Sequence, residues 1–388
     1  SLKHFEPGLF FSTTYQALRV YTTTGLYNRL RRNNDPFTAE QGGFPKEPPA
    51  TDPEQAMTPT DNPTISALTT EELAFFKQFG YLIKPKVLNA ATCNELVDLM
   101  WQSAPGALDR FDPRTYQTIP KSEWSSDSLR FVQDDKWQFR ALGTDQPLID
   151  AMTHPQLWQW GEQLLGKGNL RAPTPGGQPM GSRGPAWPGG PVDPQDTEGV
   201  RGIYATLPNP SLEGAQDSLH TDGHPFHVGW VCLLEDCPPE SGAFKVWPGS
   251  HQRFYPLFPM PYDQTRIPFY DHLPSHKGIL HPAPYLAEVK AVETDTDPVD
   301  VWGSQGDVIL WHHRLGHMAG HHKGHQASIR QALLFDYNHI ALDAMRCEPT
   351  PCDMWQHWSP ELRAAQVTTF SDALMSAQRL AAEGQNRP

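Results

Sequence analysis

His220 and Asp222 lie two residues apart in Ser218-Leu219-His220-Thr221-Asp222. On an extended backbone that spacing projects both side chains to one face, so an imidazole and a carboxylate converge without a turn. Two ligands hold a metal poorly, and a third must come from another strand. The other histidine-dense segment is Trp311-His312-His313-Arg314-Leu315-Gly316-His317, followed by His321, His322 and His325. One His, one Asp and a distant His make the facial triad that leaves open positions on a non-haem iron. His317 is the expected third ligand. Gly306-Asp307 reads as a turn and Val308 to Trp311 as a buried strand, and His317 falls beyond them, before a glycine-bearing loop.

Thirteen residues after His317, Arg330 is the single basic residue in the strand-like run Ser328 to Leu334. A guanidinium amid apolar neighbours wants a carboxylate partner, and a dicarboxylic co-substrate supplies one in bidentate geometry. His251, in Trp247-Pro248-Gly249-Ser250-His251, reads instead as a surface or turn-stabilising residue, because Pro-Gly is a turn signal.

The elements that must position these groups can be read in outline. Leu68-Thr69-Thr70-Glu71-Glu72 offers a capping box, Thr69 with Glu72, ahead of Leu73, Phe75, Phe76 and Phe79, and Gly80 stops the helix. Tyr81-Leu82-Ile83 then reads as a strand, and Asn89 opens a second helix carrying Leu96, Val97 and Met100. From residue 199 to 340, short apolar runs alternate with turns: Ile203 to Leu207, Val228 to Leu234, Ala243 to Trp247, Val308 to Trp311 and Ile329 to Tyr337. That texture predicts an antiparallel sandwich or barrel. Helices are expected at Pro360 to Ala365 and Ser371 to Ala382. Residues 172–198 are too dense in Pro and Gly for a helix or strand interior, and a loop that long reads as a lid or as a disordered segment. Residues 35–64, rich in Pro, Gly and acids, read as a surface arm. The resulting division is an N-terminal extension at 1–65, a domain at 66–345 and a C-terminal helical extension at 346–388.

Composition narrows the function classes. The chain has 388 residues, 38% of them hydrophobic and 11% aromatic, too apolar for a disordered protein despite 39 prolines. A formal charge of -13 without a dense Lys/Arg run argues against a nucleic-acid partner, Arg29, Arg31 and Arg32 forming only a short cluster. No run of about 18 apolar residues predicts a membrane span. Cys93, Cys232, Cys237, Cys347 and Cys352 form no CxxC pair, which favours reduced thiols in a cytoplasmic enzyme. Residues 1–34, slightly basic and nearly free of acids, leave a targeting segment as the alternative. The expected partner is a small-molecule substrate, with no nucleic acid and no membrane.

Four segments resemble the phytanoyl-CoA dioxygenase family of Fe(II)/2-oxoglutarate oxygenases: LTTEELAFFKQFGYLIKP (Leu68 to Pro85), SLHTDGH (Ser218 to His224), SGAFKVWPGSH (Ser241 to His251) and GDVILWHHRLGHMAGHH with IRQALLFDY. The likeness spans about residues 66–340. It implies a mainly β protein with flanking helices, a double-stranded β-helix of the jelly-roll, cupin-like type. It implies His220, Asp222 and His317 as iron ligands and Arg330 gripping the distal carboxylate of 2-oxoglutarate. Trp230, in the strand after the metal motif, where family members carry an aromatic near the site, and Tyr204, in the strand before it, are candidates to stand beside the co-substrate, with ordinary core packing the favoured role for either. Ala319 stands where relatives carry a small hydroxyl residue, and His322 where an Asn is common. The implied reaction consumes O2 and 2-oxoglutarate, with ascorbate as a reductant, and yields succinate and CO2. Asp222 favours hydroxylation, desaturation or ring closure over halogenation. A catalytically silent metal-binding or ligand-binding jelly roll and a zinc hydrolase are the competing readings.

Overall fold

A computed structural model of the chain describes residues 65–106, 108–117, 129–133, 135–176, 199–222, 227–257, 283–323, 328–345 and 351–379. The arm expected at 35–64, most of the lid expected at 172–198, His325 and Cys347 lie outside these residues.

Helix α1 (Thr70–Phe79) opens on the predicted capping box: Glu72 N donates to Thr69 Oγ1 at 3.1 Å, and Thr69 N donates to the Glu72 carboxylate at 2.9 Å. Two orphan amides are thereby satisfied. The helix ends at Gly80, whose φ of 82° is left-handed and whose missing Cβ makes room for the His251 ring. Strand β1 (Tyr81–Lys84) follows, then α2 (Ala90–Gln102), capped where Thr92 N donates to Asn89 Oδ1. The middle section adds β2 (Leu129–Gln133), β3 (Lys136–Phe139), α3 (Gln146–Met152) and α4 (Pro155–Leu165).

The strands that carry the site come next: β4 (Gly202–Thr206), β5 (Val228–Leu233) and β6 (Phe244–Val246). After α5 (Ser250–Phe254) and α6 (Ala283–Asp295) come β7 (Val299–Val301), β8 (Val308–His312), β9 (His317–Ala319) and β10 (Arg330–Tyr337). Helices α7 (Leu342–Met345), α8 (Pro360–Ala364) and α9 (Asp372–Arg379) complete the described elements. One antiparallel sheet runs β1-β8-β5-β10-β4-β3-β2 and a smaller one runs β7-β6-β9.

Register decides which side chains share a face, because directly opposed residues point the same way. Trp311, Gly229 and Asp336 form one row across β8, β5 and β10, and Leu310, Trp230 and Phe335 form the next. The first row faces the small sheet: the Trp311 ring lies 4.9 Å from Phe244 of β6 and 5.5 Å from His317 of β9. Gly229 is required there, since a Cβ would sit 2.2 Å from Trp311 Cζ2. The second row faces the helices. Tyr337, on that side, meets the Trp158 ring of α4 and donates its hydroxyl to Met152 O at 2.7 Å.

The C-terminal segment is set into this core. Trp358, Leu362 and Leu374 are buried in the main cluster, and Trp358 stacks on His312 with ring centroids 5.2 Å apart. His251 belongs to the same region and corrects the expectation of a surface position. It is fully buried against His312 and Trp355, with Nε2 3.2 Å from Lys77 O. The Pro-Gly turn that precedes it folds α5 onto the end of α1 instead of out to solvent. Burying each large side chain of this core contributes about 1.5–3 kcal/mol. Among the described residues no helix is long and apolar enough to cross a membrane.

Candidate metal centre

His220 and His317 face each other across an isolated antiparallel bridge. His220 N donates to His317 O at 3.1 Å and His317 N donates to His220 O at 2.9 Å. The segment before Asp222 thus runs alongside β9 and extends the small sheet by one short pairing. Asp222 lies just past the bridge, with Oδ1 3.9 Å from His220 Nε2 and 3.8 Å from His317 Nε2. Ligand atoms of the three residues all lie within 4.8 Å of one another, a spacing that fits a single metal ion. Two imidazole nitrogens and one carboxylate oxygen are also the donor set that suits a divalent first-row metal.

The electrostatics agree with that chemistry. Burial holds the His317 imidazole below its ordinary pKa, with Asp222 pulling the other way, so the ring is neutral at physiological pH, as a ligand must be. His317 Nδ1 lies 2.9 Å from Leu315 O, a contact that orients the ring with Nε2 toward Asp222. The other histidines of the segment go elsewhere. His312 and His313 pack among His227, His251, Tyr255 and Trp358. His321 reaches Gln216 O, and His322 Nε2 reaches Ser328 O at 2.6 Å.

The chain that presents Asp222 is held from several sides. Leu219 N donates to the Glu293 carboxylate at 2.9 Å and Thr221 N to the Tyr285 hydroxyl at 3.2 Å, both acceptors on α6. Arg314 Nη1 donates to Asp222 O at 2.8 Å. Arg201, the residue before β4, donates from Nη1 to Asp222 Oδ2 and from Nε to Asp336 Oδ2, each at 2.7 Å. Sequence reasoning missed Arg201, although the signal that found Arg330 applies to it: a lone basic residue at the mouth of an apolar strand.

Arg330 begins β10 on the face that looks toward the small sheet. It is 4% exposed, and its Nε has no hydrogen-bond partner among the described residues. Burial lowers its pKa. Across β4 and β3 the row continues Arg330, Thr206, Lys136, and the Lys136 pKa is lowered first by burial, with Arg330 adding to the effect. Two cations flanking a hydroxyl on one face of the sheet have the chemistry to pair with a carboxylate. Lys136 was also missed, because β3 carries no motif.

Tyr204 and Trp230 separate. Tyr204 pairs with Ala332, on the Arg330 face of the sheet. Trp230 is on the opposite face, its ring stacked on Phe335 at 5.6 Å and edge-on to Tyr337 at 4.9 Å. The expectation that Trp230 adjoins the co-substrate is therefore corrected. Its strand does pass the site, but the register points Gly229 inward and Trp230 toward the helices.

No curated protein matches the chain. Solved structures with a likeness include the non-heme alpha ketoglutarate dependent carbocyclase SnoK from nogalamycin biosynthesis, at 17% identity over 70% of this chain and 83% of that one, TM-score 0.35. The epimerase SnoN in complex with Fe3+, alpha ketoglutarate and nogalamycin RO gives 16% identity over 73% and 90%, TM-score 0.37. EctD from S. alaskensis with 2-oxoglutarate and 5-hydroxyectoine gives 14% over 71% and 77%, TM-score 0.40. The assignment rests instead on the sequence profile described as Phytanoyl-CoA dioxygenase (PhyH), which matches residues 76–332, more than half of the chain. That match spans the His220, Asp222, His317 and Arg330 segments together, and by it the chain belongs to the phytanoyl-CoA dioxygenase family of non-haem iron, 2-oxoglutarate-dependent enzymes.

Proposed function

We propose that this enzyme oxidises a C–H bond of a small organic molecule, by hydroxylation, desaturation or ring closure, coupled to decarboxylation of 2-oxoglutarate to succinate and CO2. The observation that carries the reading is the convergence of His220, Asp222 and His317 ligand atoms within 4.8 Å, on a fold that also buries Arg330 Nε with no hydrogen-bond partner among the described residues. His220, Asp222 and His317 would hold Fe(II), which when bound supplies the activation of O2 that the oxidation requires. We assign the two sheets to the halves of a double-stranded β-helix, with the oxygenase domain at 66–345.

Each residue then has a task of its own. The His317 contact with Leu315 O keeps Nε2 turned toward Asp222. Arg330 and Lys136 face one carboxylate end of 2-oxoglutarate with two positive charges, and Thr206 between them offers a hydroxyl. Tyr204 stands in the row beside them. Trp311 and Phe244 pack against His317 and keep water from that side of the site. The Asp222 carboxylate occupies the place that a halide would need, which favours oxidation without halogen transfer. The net charge of -13 favours a small organic substrate over a nucleic acid, as in specialised metabolism.

The test is anaerobic titration of the Fe(II)-loaded enzyme with 2-oxoglutarate, followed by admission of O2 in the presence of candidate substrate mixtures. A 2-oxoglutarate-dependent visible band, succinate release and a product gaining one oxygen or losing two hydrogens are expected. Absence of the band in the native enzyme, or its persistence in Asp222→Ala, would refute the ligand assignment.

A further inference from the structure

The structure assigns Arg201 as the positioning residue that makes Asp222 present a single oxygen, Oδ1, toward His220 and His317. This rests on the metal reading above and goes beyond it, because Arg201 is not itself one of the proposed ligands.

Three observations lead to it. His220 and His317 are fixed by their reciprocal backbone hydrogen bonds, whereas Asp222 lies past that bridge, beyond the ladder pairings of the described residues. The Arg201 guanidinium supplies the constraint: Nη1 donates to Asp222 Oδ2 at 2.7 Å, while Oδ1 lies 3.9 and 3.8 Å from the two Nε2 atoms. Arg201 is itself held in place. Nε donates to the buried Asp336 carboxylate at 2.7 Å, and the guanidinium carbon lies 5.6 Å over the Trp311 ring. A planar guanidinium holds two carboxylates through separate nitrogens in fixed directions, whereas an ammonium offers only rotatable donors on a single nitrogen.

The chemical consequence concerns the number of coordination positions. Two imidazoles and one carboxylate oxygen would hold a bound metal through three protein atoms and leave its remaining positions for a 2-oxo acid and O2. If Asp222 bound through both oxygens it would take one of these. The hydrogen bond from Arg201 to Oδ2 opposes that mode, and the Asp336–Arg201–Asp222 relay ties the metal carboxylate to the centre of the large sheet through β10.

The experiment measures Co(II) affinity of the metal-free protein by calorimetry, with thermal melting as the control for folding. Arg201→Leu combined with Asp336→Asn removes the guanidinium together with the charge it balances. It is expected to melt cooperatively yet bind Co(II) about 10–100-fold more weakly, the loss usual when the partner of a metal ligand is removed. A weakening below about fivefold would overturn the inference, leaving Arg201 a packing residue only. If that variant does not fold, Arg201→Lys carries the same threshold, since it keeps the charge but loses the planar fork that fixes the direction of both hydrogen bonds. Native protein that takes up no Co(II), or whose uptake survives Asp222→Ala, would instead overturn the metal reading. Binding lost in Asp222→Ala but intact in the Arg201 variants would overturn this inference alone.

Discussion

Replacing Arg330 by methionine should move stability and co-substrate affinity in opposite directions. In the ligand-free protein the guanidinium is 4% exposed and its Nε has no hydrogen-bond partner among the described residues, so that donor is desolvated without compensation from them. Methionine fills much of the same volume without that cost, and the metal-free variant should be more stable by about 1 kcal/mol or more. With co-substrate the sign reverses. Losing charge-assisted hydrogen bonds to a carboxylate costs about 3 kcal/mol, which at 1.4 kcal/mol per decade raises the 2-oxoglutarate Kd roughly 100-fold. At a concentration of about 100 native Kd, 2-oxoglutarate stabilises the native protein by about 2.7 kcal/mol and the variant by only about 0.4 kcal/mol. Thermal melts of both proteins with Mn(II), with and without 2-oxoglutarate, read both effects at once. An Arg330→Met protein that keeps the full ligand-induced shift would refute the carboxylate role. One that melts below native protein when ligand-free would show that the buried guanidinium was already satisfied.

Asp222→Ala and His317→Ala should each abolish succinate formation while leaving the melt cooperative, and residual turnover above a tenth of native would count against either ligand. Trp230→Phe should leave the 2-oxoglutarate Kd unchanged within about twofold, because the ring faces the helices, whereas Tyr204→Ala should weaken it; the reverse order would contradict the register. Acid should destabilise the metal-free fold. Burial holds His227 at a pKa of about 3, with His339, His357 and Arg171 adding to the depression, and His251 at about 4. The unfolded chain, with histidines near 6.5, binds more protons, so this stability is intact above about pH 6.5 and is lost as pH falls toward the folded values. At pH 5 each histidine costs on the order of 2 kcal/mol. Equal denaturant midpoints at pH 7 and pH 5 would rule this out.

What could be read from the sequence follows how local each cause is. The α1 capping box needs only residues three apart, and the His220 to Asp222 spacing needs only an extended backbone. Both depend on neighbours in the chain, and the structure shows both. Helix α6 gave no such signal: only Tyr285 and Val292 of its 13 residues are buried, so no apolar stripe marks it. Yet the hydrogen bonds from Leu219 and Thr221 to its side chains are what steady the segment bearing His220 and Asp222.

Trp230 and Arg201 show the deeper limit. Whether Trp230 points at the site depends on β5 pairing Gly229, and not its neighbour, with Trp311, and a slip of one residue would turn the indole inward. Register is set by contacts between strands some eighty residues apart, and a count along one strand cannot supply it. The same pairing brings Asp336 to the inner face, where Arg201 can join it to Asp222. The feature that hides Trp230 from the site is therefore the one that assembles the carboxylate relay, so a mutation that shifted β5 against β8 should disturb both together. Gly229→Ala is that mutation, since its Cβ would meet Trp311 Cζ2 at 2.2 Å. It should weaken Co(II) binding through Asp222 without touching any of the three ligands, and unchanged affinity in a folded Gly229→Ala protein would break the proposed link between register and metal site.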